Sequence, residues 1–409
     1  MLRDGRVATP GRRQEAAWPE RVVVLGGGRW ARVLTGVICD LVPPGSRVDV
    51  CSPGGWRSVM AWAQGHGLAD RIHVSPTRVV AREPGRTVAI VACAARDHPK
   101  AATLALEYSA GVLVEKPFAL TEAAAIRVAH EASSRAVLVG PAQVLRFTRY
   151  LDSFQRRVNA AGAVTRAALA WWDEAGEMRY GETKSYDSSI PVFADTLPHV
   201  IAVLESVFSE CPERLELRSV DDGGAKVELA LQFGRFECVA VVARGRSERR
   251  RRLDVSAGGR ALSIDWTDEP GVIQDQDRMV SADPDWANGP RPLASMLTAF
   301  FQVSLSGTED PRFSLESAFC SARLIESAQH QYRPRIIRWI AAALGAMSGK
   351  GAALSPALSY ALSEFLQGAG RLSPDALSAQ TDRLVTESMG LSQMQLVERL
   401  EQCSFSANP

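Results

Sequence analysis

Lysine is scarce in this chain: among 47 lysine and arginine residues only Lys100, Lys116, Lys184, Lys226 and Lys350 are lysines. Arginine carries nearly all the positive charge, so a lysine inside an otherwise apolar stretch is informative. An excess of either charge is also missing. Lys+Arg 47 against Asp+Glu 46 leaves a formal net charge of +1, with no electrostatic footprint for nucleic acid or an acidic membrane. No apolar run approaches the ~18–20 residues that a bilayer span needs. The seven cysteines (Cys39, Cys51, Cys93, Cys211, Cys238, Cys320, Cys403) are odd in number, scattered and without a C-x-x-C pair. They fit reduced thiols in a cytoplasm better than a disulfide framework or a zinc site. The first twenty residues are basic and lack the apolar stretch of a signal peptide; residues 1–19 read as a flexible arm. The expectation is a soluble, cytoplasmic protein with no nucleic-acid or membrane partner and no metal.

The 409 residues suit two or three domains at about 100–200 residues each. An apolar content of 46% with 23% charged residues is ordinary globular composition. From residue 20 to 141 short β-branched runs alternate with helical patterns: Arg21-Val-Val-Val-Leu, Arg47-Val-Asp-Val, Ile72-His-Val, Thr87-Val-Ala-Ile-Val, Gly111-Val-Leu-Val and Ala136-Val-Leu-Val. Strands separated by helices imply right-handed crossovers and a doubly wound parallel sheet, a Rossmann domain. From 142 to 333 the pattern changes to an α+β domain. A strand at Val164–Trp172, a helix from Asp195 and five runs between Arg214 and Trp266, punctuated by Asp221-Asp-Gly-Gly and Gly258-Gly, predict a large, mainly antiparallel sheet. Residues 334–409 read as a helical extension, linked through an Ala/Gly/Ser-rich stretch at 348–354.

Gly26-Gly-Gly-Arg-Trp-Ala31 follows the first strand and opens a helix, matching G-x-G-x-x-A. Glycine permits the tight turn and the close approach of a pyrophosphate, whose charge is met by free N–H groups at the helix N-terminus. Gly26, Gly28, Arg29 and Trp30 are therefore candidate dinucleotide contacts. About twenty residues on, where a ribose-binding carboxylate marks NAD sites, the second strand ends in Cys51-Ser-Pro-Gly-Gly-Trp-Arg57. With no acid at that tip, Ser52 and Arg57 favour the 2′-phosphate of NADP over NAD; Asp49 is the competing acid, but it lies inside the strand. Glu115 and Lys116 end the fifth strand, on the side where an open α/β sheet binds its ligands. Asp195 and His199 stand at i, i+4 and share a helix face. His199 could pass a proton or be a packed structural histidine, and Asp195 could equally cap its helix.

Taken in order, these motifs resemble the Gfo/Idh/MocA oxidoreductases, named for glucose–fructose oxidoreductase and inositol dehydrogenase. That pattern joins a glycine turn, an E-K-P segment after the fifth strand (Glu115-Lys116-Pro117) and D-x-x-x-H in the second domain (Asp195 to His199). Ala92-Cys-Ala-Ala-Arg-Asp-His98 is similar to the family loop that lines the nicotinamide site, which adds His98 to the cofactor candidates. Gln143-Val-Leu-Arg-Phe147 resembles its R-F segment. The resemblance covers about residues 20–330. It implies hydride transfer between a nicotinamide and a carbon bearing oxygen or nitrogen, with Lys116 on the reacting oxygen, His199 relaying the proton and Asp195 orienting it or binding substrate. Ser185-Tyr-Asp-Ser-Ser-Ile-Pro-Val-Phe replaces the usual glycine-rich run, and Thr196-Leu-Pro the usual small residues. The reading is an NADP-dependent reductase of a keto group, of sugar type, in a biosynthetic pathway.

Members of ordinary length would end near His330. Here Leu358–Gln402 weakly resembles the first half of a carrier-protein domain, with Ser392 on the position of the aspartate and Gln393 on that of the serine that would receive phosphopantetheine. This leaves open reduction of an imine or thiazoline on a carrier-tethered peptide, with a carrier-protein or synthetase partner, against a plain helical appendage. A dinucleotide-binding scaffold without catalysis is the reading from another class; Lys116 and His199 argue against it. An apolar open face on the second sheet would favour a homo-oligomer.

Overall fold

The computed structural model describes residues 18–77, 86–179, 181–184, 186–347, 354–370 and 372–405. Most of the arm expected over 1–19 and of the link expected over 348–354 lies outside the described residues.

In the first domain β1 (Arg21–Leu25), α1 (Arg29–Leu41), β2 (Arg47–Cys51), α2 (Trp56–Gly65), β3 (Ile72–Ser75), β4 (Thr87–Val91), α3 (His98–Ala105), β5 (Gly111–Val114), α4 (Glu122–Ser134) and β6 (Leu138–Pro141) follow one another. The six strands form an all-parallel sheet in the order β3-β2-β1-β4-β5-β6. Every residue of β1, β4 and β5 is buried, as expected for strands covered on both faces. Thr121 caps α4 through its hydroxyl, which accepts from the Ala124 N–H at 3.3 Å. The strand order reverses between β1 and β4, which opens a crevice at their carboxyl ends.

The second domain begins with α5 (Arg149–Ala161), β7 (Val164–Glu174) and a two-stranded ribbon of β8 (Met178–Arg179) and β9 (Glu182–Thr183). There follow α6 (Val192–Phe208), β10 (Arg214–Asp221), β11 (Lys226–Gln232), β12 (Glu237–Arg246), β13 (Arg250–Ala257), β14 (Arg260–Asp265), β15 (Val272–Asp275) and β16 (Arg278–Ser281). Eight strands make one sheet, β10-β11-β12-β7-β13-β14-β15-β16, antiparallel except where β12 runs parallel to β7. The strand that comes first in sequence thus sits in the middle. α6 is buried nearly all round and continues through Pro198; packing outweighs the lost N–H. The sheet's outward side carries Arg252–Asp254 and Arg218–Glu237 ion pairs.

Two helices tie the domains together. α7 (Pro292–Ser306) buries Leu293, Met296, Leu297, Phe300 and Phe301 against α1 and the first sheet. α8 (Leu315–Met347) starts against the first domain with Ala318 and Ala322, then runs without interruption through Pro334 along the second. α9 (Pro356–Ala369), α10 (Pro374–Ser388) and α11 (Gln393–Phe405) complete the chain. Their Leu358, Ala361, Leu362, Leu366, Leu384, Leu396 and Leu400 join the hydrophobic core of the second domain. Among the described residues no helix is long and apolar enough to cross a membrane.

Candidate active site

The glycine turn sits at the reversal of strand order. Gly26 has φ +150°, and a Cβ there would stand 2.2 Å from the Ala92 carbonyl oxygen, so no side chain fits. Gly28 precedes α1, where a Cβ would meet open space. No side chain caps α1 and no acidic residue occupies its first turn. The exposed N–H groups and the helix dipole therefore remain available to an anion. Arg29 donates to the Arg179 carbonyl at 2.6 Å, and Arg32 pairs with Glu182, so the β8–β9 ribbon of the second domain lies over this helix start.

Beside the first residues of α1, Arg29 and Trp30, a cavity of about 840 Å³ extends between the domains; Gly26 and Gly28 do not line it, and its volume is at the upper end of the ~300–1,000 Å³ usual for small-molecule sites. Arg29, Trp30, His98, Glu115, Lys116, Asp195 and His199 all line it. Lys116 donates to Asp195 Oδ1 at 2.5 Å and to its main-chain oxygen at 3.2 Å. Arg244, 2% exposed, donates to Asp195 Oδ2 at 3.0 Å. Burial by itself would raise the Asp195 carboxyl, but the Lys116 and Arg244 cations outweigh it and hold it well below the ordinary carboxylate range. Asp195 lies in the first turn of α6 rather than at its cap, which is Pro191. His199 stacks on Trp171 at a centroid distance of 4.9 Å and 11°. Burial, then the Lys116 charge, depress its pKa far below that of a free imidazole, so it is neutral.

The remaining candidates divide. Glu115 is buried, accepts the Lys116 main-chain N–H at 3.1 Å, and is pushed up to about 7 by burial, with the Trp30 indole and Lys116 pulling against it. His98 has Nδ1 2.7 Å from the Pro117 oxygen and Nε2 3.0 Å from the Cys93 oxygen, so it joins the two loops that frame the cavity. Ser52 and Arg57 do not line the cavity. Ser52 lies directly beneath the turn, where a Cβ on Gly27 would come within 2.2 Å of its hydroxyl. Arg57 is exposed and stacks on Trp56 with its guanidinium carbon 5.0 Å from the ring centroid. Asp49 is held inside the sheet by Arg21 at 2.5 Å, Arg47 at 3.0 Å and His73 at 3.1 Å, away from any ribose at the strand tip.

Several cavity residues escaped the sequence reading: Trp171, Trp266, Trp286, Asp173, Lys184, Arg249, Arg251 and Glu269 line the wall of the second domain. Asp173 pairs with Arg251 and, at 2.7 Å, with Lys184. The Arg251 guanidinium lies 4.0 Å from the Trp171 ring centroid. The scarcity of lysine was the one available signal for Lys184. Among the described residues no group of three or more His, Cys, Asp or Glu could hold a metal ion.

A parallel sheet with the glycine turn at its switch point, joined to an α+β domain that sets Asp195 against Lys116 beyond the tip of β5, is a two-domain fold shared with solved oxidoreductases. No family model matches the sequence, and no curated protein matches it. Among solved structures, the chain is similar to an aldose-aldose oxidoreductase from Caulobacter crescentus (16% identity, 76% of this chain and 97% of that one, TM-score 0.62). It is also similar to a UDP-N-acetylglucosamine 3-dehydrogenase from Acidithiobacillus ferrooxidans (16%, 76% and 96%, TM-score 0.60). A third is a 3-ketoreductase from Actinomadura kijaniata solved with TDP-benzene and NADP (15%, 75% and 96%, TM-score 0.60). At such identities the likeness establishes the fold.

Proposed function

We propose that this protein is a nicotinamide-dinucleotide-dependent oxidoreductase that interconverts a keto group and an alcohol on a small polar molecule of sugar type. The observation that carries the reading is the meeting of Lys116, Asp195 and His199 in the same cavity as the uncapped start of α1. The space at Gly28, the exclusion of any side chain at Gly26 and the free helix N-terminus suit a pyrophosphate. The bound dinucleotide would supply or take up the hydride.

The chain's own residues would handle the proton and the charge. Reduction of a carbonyl builds negative charge on oxygen, and the Lys116 ammonium is placed to stabilise that oxygen and give it a proton. Asp195, itself fixed by Arg244, holds the lysine in position. When the reaction runs as an oxidation the same step reverses: Lys116 in its amine form would take the alcohol's proton, and His199 would relay it onward. Trp286, half-buried in the cavity wall, offers an apolar face, and Asp173, Lys184 and Glu269 offer hydrogen bonds, a combination suited to a polyhydroxylated ring. The absence of a free carboxylate at the tip of β2, with Ser52 and Arg57 there, favours NADP. The resemblance to an NADP-bound 3-ketoreductase and to an oxidoreductase solved with NAD+ supports a nicotinamide dinucleotide of either form.

Titration with NADPH and with NADH, followed by nicotinamide fluorescence, tests the cofactor; tighter binding of NADH would reverse the preference. Lys116→Met then separates binding from chemistry. The expectation is retained dinucleotide affinity with turnover lower by about 10²–10⁴, the usual contribution of general acid–base catalysis. Unchanged turnover would remove the lysine from the mechanism, and failure of both dinucleotides to bind would end the oxidoreductase reading.

A further inference from the structure

The segment after His330 extends beyond the length that the resemblance assigns to an ordinary member, yet it reaches the candidate active site. Arg244 has two ends. Its Nη2 donates to Asp195 at 3.0 Å, and its Nη1 donates to the Tyr360 hydroxyl of α9 at 3.4 Å and to the Ile190 carbonyl at 3.3 Å. Glu364 stands one turn further along α9 from Tyr360 and accepts from the Tyr332 hydroxyl of α8 at 2.7 Å. Arg244 and Glu364 are 2% and 6% exposed. A second tie runs from Arg96, in the loop after β4, whose guanidinium donates to the Gly368 carbonyl at 2.6 Å and to the Ser189 carbonyl at 2.8 Å.

We propose that α9 supplies two positioning residues, Tyr360 and Glu364, which fix the Arg244 guanidinium and through it the Asp195 carboxylate and the Lys116 ammonium. The charges alternate along this buried line: Lys116 positive, Asp195 negative, Arg244 positive, Glu364 acidic. Two cations sharing one carboxylate in a largely dry place favour a second acid nearby, and Glu364, which burial pushes up to about 7, is the one α9 brings. Tyr360 and Glu364 stand at i, i+4, so one helix face carries both. Leu358, Ala361 and Leu362 are buried in the core and dock the helix. Arginine's planar fork couples its two ends: without Tyr360, Nη1 keeps only the Ile190 carbonyl, and the Nη2 that holds Asp195 is less firmly fixed.

The kinetic consequence rests on the reading of Lys116 as proton donor; the structural consequence does not. In the full-length protein, Tyr360→Phe and Glu364→Gln are compared with Leu362→Ala, which loosens the packing of α9 without touching the polar line. Trace acetylation by acetic anhydride, read by mass spectrometry at each of the five lysines, reports how firmly Lys116 is held in the protein without cofactor. Tyr360→Phe and Glu364→Gln are expected to speed labelling of Lys116 several-fold relative to the other lysines. They should also lower kcat about tenfold, the order that one hydrogen bond to a charged group controls, with KM for the dinucleotide unchanged. Leu362→Ala should lower the melting temperature and leave the relative labelling as it is. Wild-type labelling in both polar variants, or an equal change in Leu362→Ala, would overturn the proposal. If the wild type shows no turnover with either dinucleotide, the oxidoreductase reading fails, and the labelling still decides whether α9 holds the lysine.

Discussion

Asp195→Asn is the most demanding test of the site because it changes one atom and almost no volume. The carboxylate serves two cations at once, Lys116 at 2.5 Å on Oδ1 and Arg244 at 3.0 Å on Oδ2. An amide has one acceptor oxygen and one donor NH₂, so whichever way it turns, an N–H faces a cation. Removing one partner from a buried ion pair costs ~3–5 kcal/mol. The Lys116 and Asp195 side chains keep 24% and 21% exposure, which screens the loss and points to the lower end, ~3 kcal/mol. At roughly 2–4 °C per kcal/mol, the melting temperature should fall by about 6–12 °C. The Asp195 carboxyl is held far below its ordinary value in the folded chain, so its stabilisation is full above the unfolded pKa of about 3.8. It is lost only as pH drops through the folded value. The gap between variant and wild type should therefore be constant from pH 5 to 8. Turnover should fall about 10²-fold, as for a reacting group displaced by ~1 Å. Thermal unfolding by circular dichroism and steady-state kinetics give both numbers. A melting temperature lowered by less than ~2 °C together with wild-type kcat would refute the argument that this carboxylate neutralises the lysine.

Other outcomes follow from the same geometry. Arg57→Ala should weaken NADPH binding about tenfold, the scale of one charge-assisted contact to a phosphate, and leave NADH binding unchanged; equal loss for both would detach Arg57 from the 2′-phosphate. Glu115 stands at about 7 when folded against an ordinary 4.5, so between those values the folded chain keeps a proton that the unfolded chain has released. Stability then declines as pH rises through that interval, by at most roughly 3 kcal/mol at ~1.36 kcal/mol per pH unit, and is level above it. Glu364 is pushed up to about 7 by the same cause and adds a like slope, so Glu115→Gln should remove about half of the total; urea denaturation at pH 5 and pH 8 measures it, and an identical slope in the variant would show that Glu115 contributes none of it.

Much of the molecule was legible before any coordinates. Buried strands alternating with helices imply a doubly wound parallel sheet, and the six strands form one, in an order the tertiary structure decided. Gly26 was legible because the backbone demands it: a turn that tight against Ala92 admits no side chain. Lys116 stood out through its strand-tip position and the rarity of lysine. Less could be read in the second domain. The ribbon of β8 and β9 and the strands β15 and β16 are too short to leave a periodic pattern, and the placing of β7 beside β12 depends on pairings far apart in sequence.

By itself the sequence determined the elements and motifs whose causes are local: apolar runs, turns, caps and the spacing of Asp195 to His199 on one helix. Tertiary structure alone decided which of those residues meet. Arg244 reaches Asp195 across 49 positions and Tyr360 across 116, and Trp171 came to lie under His199 through sheet register and helix docking. Such contacts follow from how whole faces pack, a property of the assembled core that no short stretch of residues encodes.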